Sequence, residues 1–247
     1  MKDDTAKLQP LLQGANAVYF KDLGPQVSYR MVYMLEYLGP MLLHPAFYKL
    51  QKLFYGLALP RSPVQKVAAC MITGHFIKRE LESLFLHRFS SATMPITKLP
   101  INSAYYWVLN GLLLGYSLFS PTFASPKYSS KGHAIAIGLF ALFELLNFHA
   151  HLVLRNLRPS GSKVRGIPKG QAFSLVSCAN YLWEICAWAV VAAYTRSKAS
   201  YFFLACSTAI LMKWAAERHG KYKKEFDGKE GREMYPKGRK ALIPFLF

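Results

Sequence analysis

A row of polar residues repeats every three or four positions within an otherwise apolar part of the chain. Its members are Glu144, Asn147, His151, Arg155 and Arg158. Residues at this spacing lie on one face of an α-helix. Charged and polar groups at membrane depth are costly, and they therefore face a cavity or a partner. The row predicts a wet, electropositive cleft, with hydrogen bonding between helices as the alternative.

The next apolar segment repeats this arrangement in SCANYLWEICAW. Ser177, Tyr181, Glu184 and Trp188 share one helix face there, and Asn180 lies beside it. Tyr and Trp alone are typical of packing or of the membrane interface. Asn and Glu within the same segment favour a functional cavity.

Two further polar features precede these helices. His75, Arg79 and Glu82 form a third row at helical spacing. For this row an ion-paired amphipathic helix at the membrane interface is an equal alternative. Glu36 stands alone in MVYMLEYLGP, in the middle of an apolar segment. A carboxylate at such a position predicts a functional group, with structural pairing as the alternative.

Five cations run from the end of the first polar row without an acidic residue between them. They are Arg155, Arg158, Lys163, Arg165 and Lys169. Arg binds phosphate through two parallel hydrogen bonds, so this segment predicts a site for a polyanion such as the phosphates of NADPH or coenzyme A. The sequence has no glycine-rich Rossmann turn, and a dinucleotide would therefore be held in a different way.

The histidines and cysteines do not predict a metal site. His149 and His151 point to different sides of a helix, and no set of ligands accompanies them. The cysteines are Cys70, Cys178, Cys186 and Cys206. They lie in or beside apolar segments without a C-x-x-C pair, which predicts free thiols.

Composition places these residues in a membrane. The chain has 247 residues, of which 52% are hydrophobic, and a formal net charge of +18. Crossing the hydrocarbon core takes about 20 residues. The segments near this length are 27–43, 64–86, 104–119, 133–154, 172–194 and 201–216, while 46–59 is too short to assign. We expect an all-α, polytopic integral membrane protein with six or seven transmembrane helices enclosing a polar cofactor and substrate cavity.

Charge and hydropathy also define the organisation of the chain. Lys and Arg lie between the apolar segments and in the last 35 residues, as in cytosolic loops, which argues against a nucleic-acid partner. Residues 1–17 are a polar lead-in, and 18–247 are predicted to form one membrane-embedded domain. The chain ends on the apolar sequence ALIPFLF, which predicts that the C-terminus docks back onto the protein or the membrane interface.

Several long motifs resemble the steroid 5α-reductase superfamily. They are NFHAHLVLRNLRPSGSK, VSCANYLWEICAW and the closing KYKKEFDG and YPKGRKALIPFLF. HFIKRELESLFLHRFSSATMP and VYFKDLGPQ are similar to its very-long-chain trans-2-enoyl-CoA reductase branch. The resemblance runs from Val18 to Phe247. It implies a multi-pass enzyme of the endoplasmic reticulum membrane that uses NADPH to reduce a trans-2-enoyl-CoA, the last step of the very-long-chain fatty-acid elongation cycle.

The resemblance also implies roles on the cofactor side. Asn147, Arg158 and Asn180 match positions that bind NADPH in the superfamily, and Tyr222 matches a cofactor-side Tyr. His151 stands where the enoyl branch has His and the steroid branch has Asp. The cations Lys163 and Arg165 are expected to join these residues in binding phosphate.

Two residues match the catalytic side of the enoyl branch. Tyr181 stands where that branch has the Tyr regarded as catalytic and the steroid branch has Phe. Glu36 matches the substrate-side Glu of the first helices. Phe76 follows His75 where relatives usually have Tyr, so its ring cannot supply a proton, and we expect Tyr181 to do so.

The resemblance implies further partners and leaves two alternatives. The expected partners are the long-chain trans-2-enoyl-CoA substrate, the lipid bilayer and the other elongation-cycle enzymes, namely the condensing enzyme, the 3-ketoacyl-CoA reductase and the 3-hydroxyacyl-CoA dehydratase. Family members commonly carry an N-terminal ubiquitin-like domain, which we expect this chain to lack. One alternative is reduction of another conjugated enone, a steroid or polyprenal, which His151 and Tyr181 disfavour. The other is a non-catalytic scaffold subunit of the elongase complex.

Overall fold

The structure of this protein is a computed structural model, and it describes residues 22–89, 91–157, 166–229 and 231–247. Over these residues the chain is mostly helical. The α-helices are α1 (Tyr29–Lys49), α2 (Gln51–Tyr55), α3 (Pro63–Leu81), α4 (Leu99–Ala104), α5 (Gly115–Leu118), α6 (Ser130–Asn156), α7 (Ala179–Thr195) and α8 (Lys198–Glu225). The predicted all-α class is therefore confirmed. The predicted lead-in, residues 1–17, lies outside the described residues.

Shorter elements connect the helices. A π-helical turn, Glu82–Leu86, continues α3, and a π-helical stretch, Tyr105–Leu114, joins α4 to α5 into one helical segment. A 3₁₀ turn, Gln171–Ser174, precedes α7. Strands β1 (Gln26–Ser28) and β2 (Thr93–Pro95) form a small antiparallel sheet in which Val27 pairs with Met94.

Side-chain caps explain where several helices begin. Ser62 accepts a hydrogen bond from the Gln65 amide while the Gln65 side chain accepts one from the Ser62 amide, a reciprocal cap at the start of α3. Pro63 occupies the first helical turn, where its missing N–H leaves no internal bond broken. Ser129 caps α6 through the Gly132 amide.

Three predicted boundaries were wrong by six residues or more. The last apolar segment was predicted to end at Ala216, but α8 continues through polar residues to Glu225. The first apolar segment was predicted to end at Leu43, but α1 continues through Pro40 and Pro45 to Lys49, with buried Pro40 and Phe47 holding it against the core. The segment predicted from residue 172 becomes regular helix only at Ala179. The reason is tertiary: the amides of Ser177 and Cys178 bond to carbonyl groups of the C-terminal segment instead of forming helix.

Two of the described helices are long and apolar enough to cross a membrane, α6 with 27 residues and α8 with 28. Apolar side chains of α6 such as Leu139, Leu142 and Leu145 point away from the protein and are 43–66% exposed. Large exposed apolar groups along such a helix are typical of lipid contact. The chain is a membrane protein.

The core lies where α1, α3, the 99–118 helical segment and α7 pack together. Ile72, Phe76, Leu114 and Trp188 are buried in it. The C-terminal segment docks against the start of α7, and Leu242 is fully buried there. The predicted docking of the C-terminus is confirmed.

Gly39 of α1 packs closely against Trp107 of the 99–118 segment. A Cβ at this position would overlap the indole ring of Trp107. That ring is fixed, since its Nε1 donates to the Leu35 carbonyl at 2.7 Å. We expect Gly39→Ala to lower the free energy of unfolding by about 1–3 kcal/mol through overpacking, measured as a lower melting temperature in detergent.

Gly74→Ala is the matched control. Gly74 is an exposed helical glycine of α3 with no atom within 4 Å of its added Cβ. Alanine is a better helix former by up to about 1 kcal/mol, so this variant should melt at the same temperature or higher. Equal melting temperatures for the two variants would contradict the assigned packing.

Candidate active site

A buried histidine on α3 connects α6 and α7. His75 Nδ1 lies 2.8 Å from Glu144 Oε1, and its Nε2 lies 3.2 Å from Glu184 Oε1. The imidazole is 3% exposed, and the two carboxylates are 13% and 18% exposed. Trp188 Nε1 also donates to Glu184 at 3.2 Å. His75 therefore fixes the two predicted polar faces against each other.

Lys78 extends this network one turn further along α3. Its Nζ lies 2.7 Å from Glu144 Oε2 and donates to Asn147 Oδ1 at 2.6 Å. Asn147 Nδ2 in turn donates to the backbone carbonyl of Asn180 at 2.8 Å. The amide of Asn147 is thus engaged at both ends, and it positions the first turn of α7.

Arg79 organises the other side of α3. Its Nη1 donates to Glu82 Oε2 at 2.6 Å, and its Nη2 donates to the Tyr37 hydroxyl at 2.7 Å. His151 Nδ1 lies 3.1 Å from the same Glu82 oxygen. The third polar row therefore lies inside the helix assembly, and the ion pairing expected of this row is present between Arg79 and Glu82.

Three neighbouring cavities surround this network in the part of the chain that the structure describes. The basic cavity, of about 310 Å³, is lined by Arg79, Arg88, Arg155 and Arg218, with no acidic residue. The apolar cavity, of about 490 Å³, is lined mainly by aromatic and aliphatic side chains, and its charged lining residues are Glu36, Arg79, Glu184 and Lys213. The surface cavity, of about 420 Å³, lies along α8 around Lys221. The basic and apolar cavities share six lining residues, namely Tyr29, Tyr33, Arg79, His151, Asn180 and Tyr181.

Tyr181 is the residue that lines all three cavities. It lies in the first turn of α7, where Tyr181 N bonds to the Cys178 carbonyl. Its hydroxyl makes no hydrogen bond with the residues that the structure describes. A phenol placed in this way is available to a ligand that extends through the cavities.

Asn180 presents an unused acceptor beside Tyr181. Its Oδ1 is buried and has no hydrogen-bond partner among the described residues. A buried acceptor without a donor costs free energy, and an amide N–H of a ligand would satisfy it. The side chain lines both the basic and the apolar cavity.

The structure places the other predicted site residues as follows. His151 and Tyr222 line the basic cavity, and Tyr222 stacks on Tyr235 with ring centroids 5.5 Å apart. Asn147 lines the apolar cavity, as does Glu36, which is 5% exposed. Arg158, Lys163 and Arg165 lie outside the described residues.

His87 contributes a neutral donor or acceptor to the basic cavity. Burial and the neighbouring Arg79 guanidinium lower the pKa of His87 to about 3, so the ring is uncharged at neutral pH. His87, Glu82 and His151 bring potential metal-ligand atoms within 4.8 Å of one another. The Arg79 guanidinium already contacts two of these three groups.

Sequence reasoning missed several residues of the site. They are Tyr33, Tyr37, Lys78, Arg88, Trp214 and Arg218. A local signal existed on α8, since Trp214, Arg218 and Tyr222 repeat every four residues. The others became recognisable only when the helices were packed.

Fold and site together define a helical membrane protein with an electropositive cavity that adjoins an apolar one. Residues 92–247 match the family described as 3-oxo-5-alpha-steroid 4-dehydrogenase, and the chain belongs to this family. It is 42% identical over 231 residues to a very-long-chain enoyl-CoA reductase of Dictyostelium discoideum, covering 94% of this chain and 74% of that protein. It is 35% identical to a Caenorhabditis elegans protein named a probable very-long-chain enoyl-CoA reductase, covering 98% of this chain and 80% of the relative.

We expect the buried ion pairs of this network to contribute far more to stability than an exposed ion pair does. Glu144→Ala leaves His75 and Lys78 without their shared carboxylate. Removing one partner of a buried pair costs about 3–5 kcal/mol, so we expect a large fall in the melting temperature of the detergent-purified protein.

The control is an exposed pair. Glu233 lies 2.9 Å from Lys169 at the surface, where the two side chains are 53% and 71% exposed. Water screens such a pair, so Glu233→Ala should leave the melting temperature nearly unchanged. A Glu144→Ala protein as stable as Glu233→Ala would show that the network does not hold α3, α6 and α7 together.

Proposed function

We propose that this protein reduces trans-2-enoyl-CoA thioesters to saturated acyl-CoA with NADPH. The observation that carries the proposal is the position of the Tyr181 phenol, at the junction of a basic, an apolar and a surface cavity. An enoyl-CoA reductase needs a proton donor where a dinucleotide, an acyl chain and a coenzyme A group meet. The names of the similar proteins from D. discoideum and C. elegans support this reaction.

The cofactor fits the basic cavity. Its basic lining, which includes Arg155, and its lack of carboxylates suit the phosphates of a dinucleotide. The orphaned Oδ1 of Asn180 suits the carboxamide N–H of a nicotinamide. We assign cofactor binding to Asn147, His151, Asn180 and Tyr222, with Asn147 acting by orienting Asn180, and to Arg158, Lys163 and Arg165 of the adjoining segment.

The acyl part of the substrate fits the apolar cavity. Phe203, Ile210 and Leu211 line it, and Glu36 and Tyr181 are among its polar lining groups. A long hydrocarbon chain would gain about 0.8 kcal/mol for each buried methylene group. The thioester would then lie beside Tyr181, with the coenzyme A group directed toward the surface cavity.

The reaction requires a hydride and a proton. NADPH, when bound, supplies the hydride to the β-carbon of the enoyl thioester. Tyr181 donates a hydrogen bond to the thioester oxygen as negative charge develops on it, and then transfers its proton to the α-carbon. Glu36, on the apolar-cavity side, orients Tyr181 or the thioester.

We also propose that the protein spans the membrane of the endoplasmic reticulum and acts there. Besides α6 and α8, the shorter α1, α3, α7 and the 99–118 segment cross the endoplasmic reticulum membrane, which accounts for six of the six or seven predicted spans. The basic C-terminal tail faces the cytosol, following the bias of Lys and Arg toward that side. The reaction is the final step of the very-long-chain fatty-acid elongation cycle, alongside the condensing enzyme, the 3-ketoacyl-CoA reductase and the 3-hydroxyacyl-CoA dehydratase.

The direct test is NADPH oxidation by detergent-purified protein. We expect turnover with a long-chain trans-2-enoyl-CoA and none with a 4-ene-3-one steroid, because His151 and Tyr181 match the enoyl branch where the steroid branch has Asp and Phe. Turnover of the steroid alone would make the protein a reductase of other conjugated enones. NADPH binding without turnover of either would identify a different substrate, and no NADPH binding would favour a scaffold.

Tyr181→Phe tests the proton donor. The substitution removes one hydroxyl and keeps the ring, which packs against Trp214. We expect kcat to fall by about 100-fold or more with little change in NADPH affinity. Tyr33→Phe is the matched control, since Tyr33 lines the basic and apolar cavities but not the surface cavity. Normal turnover by the Tyr181 variant would remove Tyr181 as the donor.

A further inference from the structure

The ring of Tyr181 lies against two side chains of α8. Its centroid is 6.4 Å from that of Trp214, at an interplanar angle of 49°. The Arg218 guanidinium carbon lies 5.2 Å from the same ring centroid. Trp214 and Arg218 are four residues apart and share one face of α8. Both hold the phenol ring from the α8 side.

Arg218 and Arg79 are held differently in the part of the chain that the structure describes. The Arg218 guanidinium makes no hydrogen bond or ion pair there. Arg79, the other cation that lines the cavities on both sides of Tyr181, is already held by Glu82 and Tyr37. No carboxylate among the described residues forms an ion pair with Arg218, whereas the charge of Arg79 is neutralised by Glu82.

The surroundings of Arg218 favour an electrostatic role at the phenol. Arg218 lines the basic and surface cavities beside Tyr181. Glu217, Lys221 and Glu225 also line the surface cavity, and among the described residues neither of these carboxylates forms an ion pair with Arg218. An Arg over an aromatic ring is attracted to the electrons of that ring, and the attraction increases when the ring carries a negative charge.

We propose that Arg218 is a positioning residue that acts through Tyr181. Its guanidinium fixes the phenol at the junction of the cavities and stabilises the negative charge that the phenol oxygen acquires when Tyr181 gives up its proton. This inference rests on the proposed function, because it takes Tyr181 as the proton donor.

The proton transfer balances without a further reactant. After the hydride has been added at the β-carbon, the electron pair of the former double bond is shared between the α-carbon and the thioester oxygen. That pair takes the proton from the Tyr181 O–H at the α-carbon. The Tyr181 oxygen keeps the electrons of its O–H bond and remains an anion until a proton from water restores it. Arg218 is the cation beside the ring during this interval.

A double-mutant cycle tests the proposal. The proteins are wild type, Arg218→Gln, Tyr181→Phe and the double variant, assayed at saturating NADPH and enoyl-CoA. We expect Arg218→Gln to lower kcat by about tenfold or more and to leave KM for both substrates within about twofold, because the role is confined to the transition state. The double variant should be no slower than Tyr181→Phe, because Arg218 acts through the hydroxyl that is already absent.

Two further variants separate charge from structure. Arg218→Lys keeps the positive charge and should recover most of the lost turnover. Arg196→Gln removes an arginine that lies 5.7 Å over the ring of Tyr128, beyond the last turn of α7 and away from the three cavities. We expect this control variant to keep normal kcat. The change in its melting temperature measures how much the loss of an arginine–ring contact alone affects stability.

The outcomes are distinct. A raised KM with unchanged kcat would make Arg218 a phosphate ligand and overturn the proposal, as would losses that multiply in the double variant. If the protein reduces a steroid enone instead of an enoyl-CoA, the proposed substrate is wrong, yet the same cycle run with the steroid still decides the role of Arg218. Both substrates need a proton on the carbon α to a carbonyl group.

Discussion

The fold of this protein depends on the charges that helix α3 carries into the core. His75 and Lys78 contact Glu144 of α6, and His75 also contacts Glu184 of α7. An unpaired charge in such a place would cost several kcal/mol, so each group requires its partners. This requirement sets the rotation of all three helices, and through Asn147 it also places the first turn of α7.

The same network separates the regions in which ligands can bind. On one side lies the basic cavity with its four arginines, and on the other lies the apolar cavity, lined mainly by aromatic and aliphatic side chains. Because the carboxylates are occupied by His75, Lys78 and Arg79, the basic cavity keeps its positive potential. Tyr181 lies at the boundary, where a polar dinucleotide and an apolar chain can approach the same hydroxyl.

The C-terminal segment completes the site from outside the helices. Ser177 N bonds to the Lys240 carbonyl at 2.8 Å, and Cys178 N bonds to the Ala241 carbonyl at 3.2 Å. These bonds delay the start of α7 until Ala179, so that Asn180 and Tyr181 occupy its first turn. Buried Leu242 anchors this C-terminal segment. The apolar end of the chain therefore holds in place the carbonyl groups that set the start of α7.

The sequence by itself determined the helical class and the approximate positions of the apolar segments. It also determined the polar helix faces that contain His151 and Tyr181, because the spacing of residues along a helix is a local property. It did not determine where the row of His75, Arg79 and Glu82 lies, or that Arg218 contacts Tyr181. Those arrangements join groups that are far apart in the chain, such as His75 and Glu144, which are 69 residues apart. Only the packing of α3, α6, α7 and α8 decided them, since a buried charge takes the partner that the assembled helices bring within reach.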